Sequence, residues 1–300
     1  MPTTSVIIPT HNRPQLLRRA VESARTAGAD VEVVVIDDAS TDQTAELCRS
    51  LTDITYVRAE RNQGVAGARN LGLVASHGEY VTFLDDDDIR LPGSLERQIE
   101  MLEREPDAAM IYGRAILGDE HGQPTDRSYP DECPAGDLFW KLLTRNFIPC
   151  GTVVFRRECL TRIGLLDDQA AGIDDWDLWV RISEICSIIS SPSPVTIWRR
   201  AAPGSDQGSS QAARLVLQSA RQFREQWMKL PRAIEAPRQQ RRSVWIKFCE
   251  NMGEHLIWES ARALARGRMI QPLANLSTIL RLHPATIPRI AGRRLIGVGT

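Results

Sequence analysis

The first third of the chain alternates between short apolar runs and helical patterns, and this alternation restricts the fold more than any other feature. Residues 31–38, VEVVVIDD, form a nearly continuous β-branched run, as expected for a strand buried on both faces. The alternation predicts an α/β fold with a doubly wound, mainly parallel sheet flanked by helices. The strand-like runs are residues 5–9, 31–38, 54–58 and 79–85, and the helical patterns between them are residues 14–24, 42–51 and 64–76.

The remainder of the chain predicts more sheet and then a helical extension. Residues 118–136 are rich in Gly, Pro and Asp and indicate a loop, and residues 201–210 indicate a Gly/Ser loop. Long helical patterns follow, so we place a boundary near residue 205, between domains 1–205 and 206–300. The predicted downstream elements are strands at 108–117 and 191–200, a strand then a helix within 150–164, and helices at 137–145 and 174–185.

Four consecutive aspartates, Asp85 to Asp88, directly follow the strand predicted at 79–85. Two carboxylates about 4 Å apart repel by ~1 kcal/mol in water and by ~4 kcal/mol at a typical protein surface. In parallel sheets of this kind, ligands bind at the carboxyl ends of the strands, where Pro9 to Asn12 and the pair Asp37–Asp38 also fall. The aspartates therefore indicate a ligand site, and a divalent cation is the simplest counter-charge.

Composition and missing motifs argue against several classes of protein. The chain is 42% hydrophobic and 25% charged with a net charge of −1, which favours no nucleic-acid partner. No G-x-G-x-x-G follows the first strand, which argues against a dinucleotide-binding dehydrogenase. The six cysteines include no C-x-x-C pair, and no signal peptide or spanning apolar run is present. We therefore expect a cytoplasmic protein with reduced thiols.

Four segments resemble one known family, the inverting glycosyltransferases of family 2, which have the GT-A fold. The resemblance covers residues 4–200, and the segments occur in the family's order. It implies a hexosyltransferase-type enzyme that moves a sugar from a nucleotide sugar, expected to be UDP-linked, to an acceptor hydroxyl, with Mn²⁺ or Mg²⁺ as cofactor. The segments are SVIIPTHNRPQLLRRAVES, VVVIDDASTDQT, NQGVAGARNLGLVASHGEYVTFLDDDD and GIDDWDLWVRI.

The resemblance also implies how the donor is bound. Asp38 would accept a hydrogen bond from the base, although it could instead cap the helix predicted near residue 42, a role that Ser40 or Thr41 could also fill. In the Asp-x-Asp signature Asp87 would reach the cation, and Asp88 would cap the helix after Pro92 or order the loop. The remaining expected nucleotide-binding residues are Pro9, Thr10, His11, Arg69, Asp85, Asp86 and Arg199. For His11 a local loop role, and for Arg69 a surface position, stay open.

The segment GIDDWDLWVRI carries the expected catalytic residue. Asp175 matches the family's general base, which takes the proton of the acceptor hydroxyl. Asp174 stands where the family usually has Glu, and would hold the acceptor or the base. Trp176 would stack on the acceptor sugar or pack in the core. A non-catalytic nucleotide-sugar-binding protein of the same fold is the alternative function.

The acceptor and the C-terminal tail stay open at this point. A glycan, a lipid-linked intermediate, a protein or a small metabolite would each supply a hydroxyl. Residues 262–300 carry seven arginines and no acidic residue, interleaved with an apolar series at helical spacing. That pattern indicates either peripheral contact with the inner face of a membrane or a helix docked on the protein itself. The sequence does not indicate an oligomeric state.

Overall fold

A computed structural model of the chain describes residues 3–200, 211–288 and 290. These residues form two compact units, one of residues 3–138 and 147–200, the other of residues 139–146 and the part of the chain after 210. The boundary expected near residue 205 and the Gly/Ser loop 201–210 lie outside the described residues, as do Arg289, Arg293 and Arg294 of the basic tail.

The first unit contains one nine-stranded sheet, in the order β3-β2-β1-β4-β8-β6-β9-β5 with β7 paired to β6. The first four strands run parallel to one another, which confirms the doubly wound α/β architecture. β8, β7 and β5 pair antiparallel with their neighbours, whereas β6 and β9 pair in parallel. The strands are β1 (Thr4–Thr10), β2 (Val31–Asp37), β3 (Thr55–Arg58), β4 (Tyr80–Phe83), β5 (Ile89–Arg90), β6 (Ala108–Gly118), β7 (Pro124–Tyr129), β8 (Val154–Arg156) and β9 (Ser187–Trp198).

Helices cover the sheet of the first unit and make up most of the second. The α helices are α1 (Pro14–Arg25), α2 (Thr44–Ser50), α3 (Gly64–Ala75), α4 (Ser94–Glu103), α5 (Phe139–Leu142), α6 (Leu160–Ile163), α7 (Asp174–Ile185), α8 (Ala212–Glu225), α9 (Pro231–Glu235), α10 (Arg238–Ala265) and α11 (Ile270–Leu282).

Two local predictions were wrong. β7 lies inside the segment predicted as a loop, because its exposed polar residues carry no apolar alternation and are ordered by pairing with β6. Neither Ser40 nor Thr41 caps α2; instead the Asp42 carboxylate accepts the backbone N–H of Thr44, 2.9 Å away.

The helix α3 lies unusually close to the sheet. A Cβ atom added to Gly72 would stand 2.3 Å from Cγ2 of Ile7 on β1 and 3.2 Å from Cγ1 of Ile36 on β2. Real Cβ atoms do not approach other atoms so closely, so glycine is required there by contact rather than by backbone conformation. The small residues of α3 therefore bring its side chains near the carboxyl ends of β1 and β4.

The second unit has an aromatic core. The ring of Phe223 on α8 lies 5.0 to 6.3 Å from the rings of Trp227, Trp245 and Phe248, and Trp227 and Phe248 are fully buried. Within the described part of the chain, no helix is both long and apolar enough to cross a membrane.

Candidate active site

The carboxyl ends of β1, β2 and β4 place the predicted polar residues at one edge of the sheet. Pro9 and Thr10 end β1, Asp37 ends β2, and Asp85 follows β4 by two residues. The registers Thr10↔Asp37 and Ile7↔Phe83 set these three strand ends side by side. Since α7 begins at Asp174 and Arg69 on α3 bonds to it, the later acidic segment reaches the same edge.

Arg69 links the two acidic segments. Its Nη1 lies 2.7 Å from Oδ2 of Asp174 and its Nη2 lies 2.7 Å from Oδ1 of Asp85. The side chain is buried, so the surface alternative for Arg69 is wrong. Its Nε has no partner among the described residues. The N–H donors of a guanidinium are held in one rigid plane. Because two of these donors bind different carboxylates here, the Arg69 side chain fixes the distance between Asp85 and Asp174.

Asp86 is held by two groups from the first strand-to-helix connection. The Thr10 hydroxyl donates to its Oδ2 at 2.7 Å, and the Arg13 guanidinium donates to its Oδ1 at 3.1 Å. Burial raises the pKa of Asp86 to about 6, against the opposing effects of Arg13 and the Thr10 hydrogen bond. Arg13 was not among the predicted site residues, although it stands in the segment PTHNRP that follows the first strand.

Asp87 and Asp88 both contact Arg199, at the end of β9. Nη2 of Arg199 lies 2.8 Å from Oδ2 of Asp87, to which Arg13 is also close, at 3.6 Å. Asp88 accepts the backbone N–H of Arg199 at 2.9 Å. Asp88 therefore orders the loop and does not cap α4, which begins after Gly93 without a side-chain cap. Burial, reinforced by Asp85 and Asp87, raises the pKa of Asp88 well above its ordinary value.

These contacts identify the counter-charges of the aspartate run within the chain itself. Arg69 pairs with Asp85, Arg13 with Asp86, and Arg199 with Asp87. The sequence suggested a divalent cation as the simplest counter-charge, and the protein supplies three guanidinium groups. A diphosphate approaching this edge therefore meets carboxylates that are already partly neutralised.

Arg90, two residues after the run, anchors the acidic loop. It is fully buried and donates to the hydroxyls of Thr82 and Ser94, the carbonyl of Gly151 and the side chain of Gln98. No carboxylate within the described ranges pairs with it, and burial lowers its pKa to about 9. The loop is thereby fixed by hydrogen bonds rather than by an ion pair.

Asp38 holds the start of α3. Its two carboxylate oxygens accept the backbone N–H groups of Gln63 and Gly64, at 2.7 and 2.9 Å. Both hydrogen bonds satisfy backbone N–H groups at the N-terminus of α3, so Asp38 caps α3 and not the helix predicted near residue 42. His11 contacts the backbone carbonyl of Asp38 through Nδ1, 2.8 Å away, which is the local loop contact left open for it.

Asp37 is bound inside the sheet. One of its carboxylate oxygens accepts the backbone N–H of Ser40 and the other accepts the Tyr56 hydroxyl, at 2.8 and 2.9 Å. The Asp37 side chain is fully buried. These contacts give it a structural role at the end of β2.

Asp175 lies in the first turn of α7, beside the Arg69–Asp174 pair. Its Oδ1 accepts the backbone N–H of Trp176 at 2.6 Å. Burial and, after it, the neighbouring Asp174 raise the pKa of Asp175 to about 7, and Arg69 opposes the rise. A carboxyl group with a pKa near neutrality can both accept and release a proton at physiological pH. The side chain of Trp176 is 5% exposed, which favours packing over stacking on a sugar.

Cys150 is a second residue that the sequence analysis did not assign to the site. Burial raises its pKa well above the ordinary value, against the effect of Arg69, and Asp175 and Asp85 raise it further. The Cys150 thiol therefore stays protonated, and it lies near the carboxylates as a neutral, weakly polar group. No motif in the sequence marked it.

The donor set fits a divalent cation that is completed by substrate oxygens. Among residues 3–200, 211–288 and 290, no group of three or more His, Cys, Asp or Glu side chains could enclose a metal ion. Mg²⁺ typically binds through one or two carboxylates plus substrate phosphates, and Asp87, with its neighbours in the run, offers such oxygens. The carboxylates fit the expected cation in that form and not as a closed site.

Comparison with known proteins identifies the family. The family model described as Glycosyl transferase family 2 matches residues 5–163, more than half of the chain. The chain belongs to glycosyl transferase family 2. The match includes β1 to β4, the aspartate run, Arg13 and Arg69, and it ends before Asp174, Asp175 and Arg199.

Curated relatives carry glycosyltransferase names. The chain is 31% identical over 189 residues to the putative colanic acid biosynthesis glycosyl transferase WcaA of Escherichia coli, covering 60% of this chain and 66% of the relative. It is 26% identical over 182 residues to an uncharacterized glycosyltransferase of Haemophilus influenzae, covering 59% and 61%. The chain therefore spans less than two thirds of the length of these relatives.

Solved structures support the fold. A mannosyltransferase, PcManGT, from Pyrobaculum calidifontis, in complex with GDP-Man and Mn²⁺, has a TM-score of 0.62 at 18% identity, covering 95% of this chain and 87% of that one. TarS of S. aureus in complex with UDP-GlcNAc has a TM-score of 0.55 at 17% identity, covering 96% and 92%. At such identities the likeness shows the fold alone.

Proposed function

We propose that this family 2 protein is an inverting hexosyltransferase that moves a sugar from a nucleotide sugar, UDP-linked, to an acceptor hydroxyl by a single displacement. The observation that carries the proposal is the carboxyl group of Asp175, whose pKa burial raises to about 7 at the edge that also holds the aspartate run. A base with a pKa near the working pH combines a large deprotonated fraction with useful basicity.

The reaction divides between the residues of this edge. Asp175 takes the proton of the acceptor hydroxyl, the acceptor oxygen bonds to C1 of the sugar, and the bond from C1 to the diphosphate breaks. Arg69 holds Asp174 and Asp85 in place, so the base keeps its orientation relative to the donor loop. The neighbouring Asp174 would contact the acceptor or support the base. Trp176 packs in the core.

The donor would be bound by the strand ends and the aspartate loop. Pro9, Thr10, His11 and Asp38 are proposed to lie against the base and ribose, and Asp86 at the ribose hydroxyls. Asp85 is proposed to bind the nucleotide beside Asp86, Arg69 to lie near the base and phosphates, and Arg199 to close over the diphosphate. Asp38 has both carboxylate oxygens on backbone N–H groups, but each oxygen has a second lone pair for the base.

A divalent cation, Mn²⁺ or Mg²⁺, would be held by Asp87 together with the diphosphate. When bound, it supplies positive charge that stabilises the leaving diphosphate. Asp87 would have to release Arg199 or share its oxygens with it, since the two are 2.8 Å apart. Released from Asp87, the Arg199 guanidinium has the donors needed to bind a phosphate. The PcManGT complex contains Mn²⁺, which supports a metal in this fold.

The names of two relatives favour a glycan acceptor. WcaA is named for colanic acid biosynthesis, and ExoO of Rhizobium meliloti, 38% identical over 103 residues, for succinoglycan biosynthesis. That ExoO match covers 33% of this chain and 30% of the relative. Both names refer to polysaccharides, so we propose a sugar hydroxyl of a growing polysaccharide as the acceptor.

A panel of nucleotide sugars tests the proposed function. The full chain is heated with UDP-, GDP- and dTDP-sugars in the presence of Mn²⁺ or Mg²⁺, and nucleoside diphosphate release is followed in parallel. We expect one UDP-sugar to raise the unfolding temperature, because a ligand that binds the native state stabilises it. We expect the same donor to be turned over. Protection without turnover would support the non-catalytic alternative, and protection by no donor would contradict both.

A further inference from the structure

The second unit exposes an apolar face on α11 that no described residue covers. Met269 and four residues of α11 are exposed, and the four on α11 follow one another at spacings of three, three and four residues. Such spacing places side chains on one face of an α-helix. The exposed fractions are 68% for Met269, 83% for Ile270, 69% for Leu273, 45% for Leu276 and 47% for Leu280.

The opposite face of α11 is already used. Asn275 and Ile279 are buried, and the Asn275 side chain donates to the carbonyl of Leu256 and to the hydroxyl of Ser260 on α10. Because this polar anchor fixes which face of α11 meets α10, the apolar face points away from α10.

Two further apolar residues, both on α10, are also exposed. Trp258 is 56% exposed and Leu264 is 49% exposed. Of the thirteen large hydrophobic side chains that are exposed in the described chain, seven fall within residues 258–280. Concentrated exposed apolar surface indicates an interaction site, whereas scattered single residues do not. We call Met269, Ile270, Leu273, Leu276 and Leu280 the apolar face.

Arginines border the apolar face, and acids are sparse there. Arg266, Arg268 and Arg281 are exposed, and none pairs with a carboxylate of the described residues. Arg262 stacks over the ring of Trp258 at 4.4 Å and pairs with Glu259, the nearest acid in sequence. From residue 262 to the end of the sequence there is no Asp or Glu. The border therefore presents cations to whatever covers the face.

We propose that the apolar face of α11, with its arginine border, binds the surface of an anionic phospholipid membrane. Met, Ile and Leu side chains enter the boundary between headgroups and acyl chains, and the arginines bind lipid phosphates. A second copy of the chain fits less well, because an isologous contact sets the same unpaired arginines on both sides without an acid between them. The proposal is independent of which sugar or acceptor the enzyme uses.

Sedimentation with vesicles tests the proposal on the full chain. Vesicles of phosphatidylglycerol and phosphatidylcholine in equal parts are compared with vesicles of phosphatidylcholine alone, at low and high salt. We expect binding to the anionic vesicles, and release as salt screens the arginines. A chain that stays in the supernatant with anionic vesicles at low salt would overturn the proposal.

Paired variants test the assignment to this face. Leu273→Gln with Leu280→Gln should weaken binding about tenfold or more, because two apolar side chains are lost from the contact. Ile234→Gln, at a residue that is 57% exposed on α9, is the matched control and should bind like the original chain. Arg266→Gln with Arg268→Gln should weaken binding about fivefold for each arginine. The control pair Arg238→Gln with Arg242→Gln removes equal charge from the start of α10 and should have little effect.

Two outcomes would overturn the assignment although vesicles are bound. If the apolar-face variants and their control variants lose the same amount of vesicle binding, the chain is attracted by its charge alone and not by this face. A dimer in sedimentation velocity that Leu273→Gln with Leu280→Gln dissociates would show that a second copy covers the face. Each variant is first compared with the original chain by circular dichroism and unfolding temperature, and since all seven sites are exposed we expect native folding.

Discussion

At the scale of single residues, Arg69 is the positive charge that acts on the proposed base. It neutralises Asp174 and Asp85 at 2.7 Å each, and it is the group that most opposes the rise in the pKa of Asp175. Burial and Asp174 hold the pKa of Asp175 near 7. An ordinary aspartate would be fully ionised at pH 7. The two acids of the segment therefore differ in role because their surroundings differ.

This arrangement predicts a pH dependence. The base acts in its deprotonated form, so kcat/KM should rise as pH increases through about 7, the pKa of Asp175. Arg69→Gln removes a positive neighbour that favours the carboxylate, so the acid limb should move to higher pH by about 1 unit or more. Arg61→Gln, at an exposed arginine before α3, is the matched control and should leave the limb in place.

The pH profile is measured as initial rates of donor turnover between about pH 5 and pH 9, which spans the expected limb on both sides. A limb that stays in place in Arg69→Gln, in a variant that still folds, would contradict the assignment of the titrating group to Asp175. A limb that moves equally in Arg61→Gln would show a general charge effect.

Asp87 gives the second residue-scale prediction. UDP should bind the original chain more tightly with Mn²⁺ than in EDTA, because the cation joins the diphosphate to a carboxylate. Asp87→Asn should reduce that difference, while Asp126→Asn, at an exposed aspartate on β7, should preserve it. Titration calorimetry measures both. Equal UDP affinity with and without Mn²⁺ in the original chain would contradict the proposed cation at Asp87.

At the scale of elements, the close contact of α3 with β1 and β2 carries Arg69 to the site. Gly72→Ala should lower the free energy of unfolding by about 1–3 kcal/mol, because its Cβ would overlap the Ile7 side chain. Val74→Ala, on the same helix at a residue that is 73% exposed, is the control and should cost about 0.5 kcal/mol or less. Urea unfolding compares them. An unchanged midpoint in Gly72→Ala would show that α3 can move away from the sheet.

The elements also show what could be predicted from the sequence. β1, β2 and β4 were recognised because their residues are buried on both faces and read as apolar runs, and their ends then placed Thr10, Asp38 and the aspartates together. The polar edge strand β7 has no such pattern. The partners of the aspartates were missed for another reason: Arg13 and Asp86 are separated by 73 residues, and Arg199 and Asp87 by 112. Such pairs depend on the folded chain, and local spacing does not reveal them.

At the scale of the whole molecule, the family match and the proposed chemistry cover different parts of the chain. Residues 5–163 match the family and include the aspartate run, whereas Asp175 lies beyond the match. The family assignment therefore supports donor binding more directly than it supports the base. The helices after residue 210 also lie outside the match, and the proposed membrane contact belongs to them.

The turnover of Asp175→Asn, set beside its donor affinity, tests the central claim most directly. The substitution keeps the shape of the side chain and removes its basicity, so nucleoside diphosphate release should fall by about 10²–10⁴. Donor affinity should stay within about twofold, because the base acts on the acceptor and not on the nucleotide. Asp168→Asn, at an exposed aspartate before α7, should behave like the original chain. An Asp175→Asn variant that turns over the donor at the original rate would contradict the account.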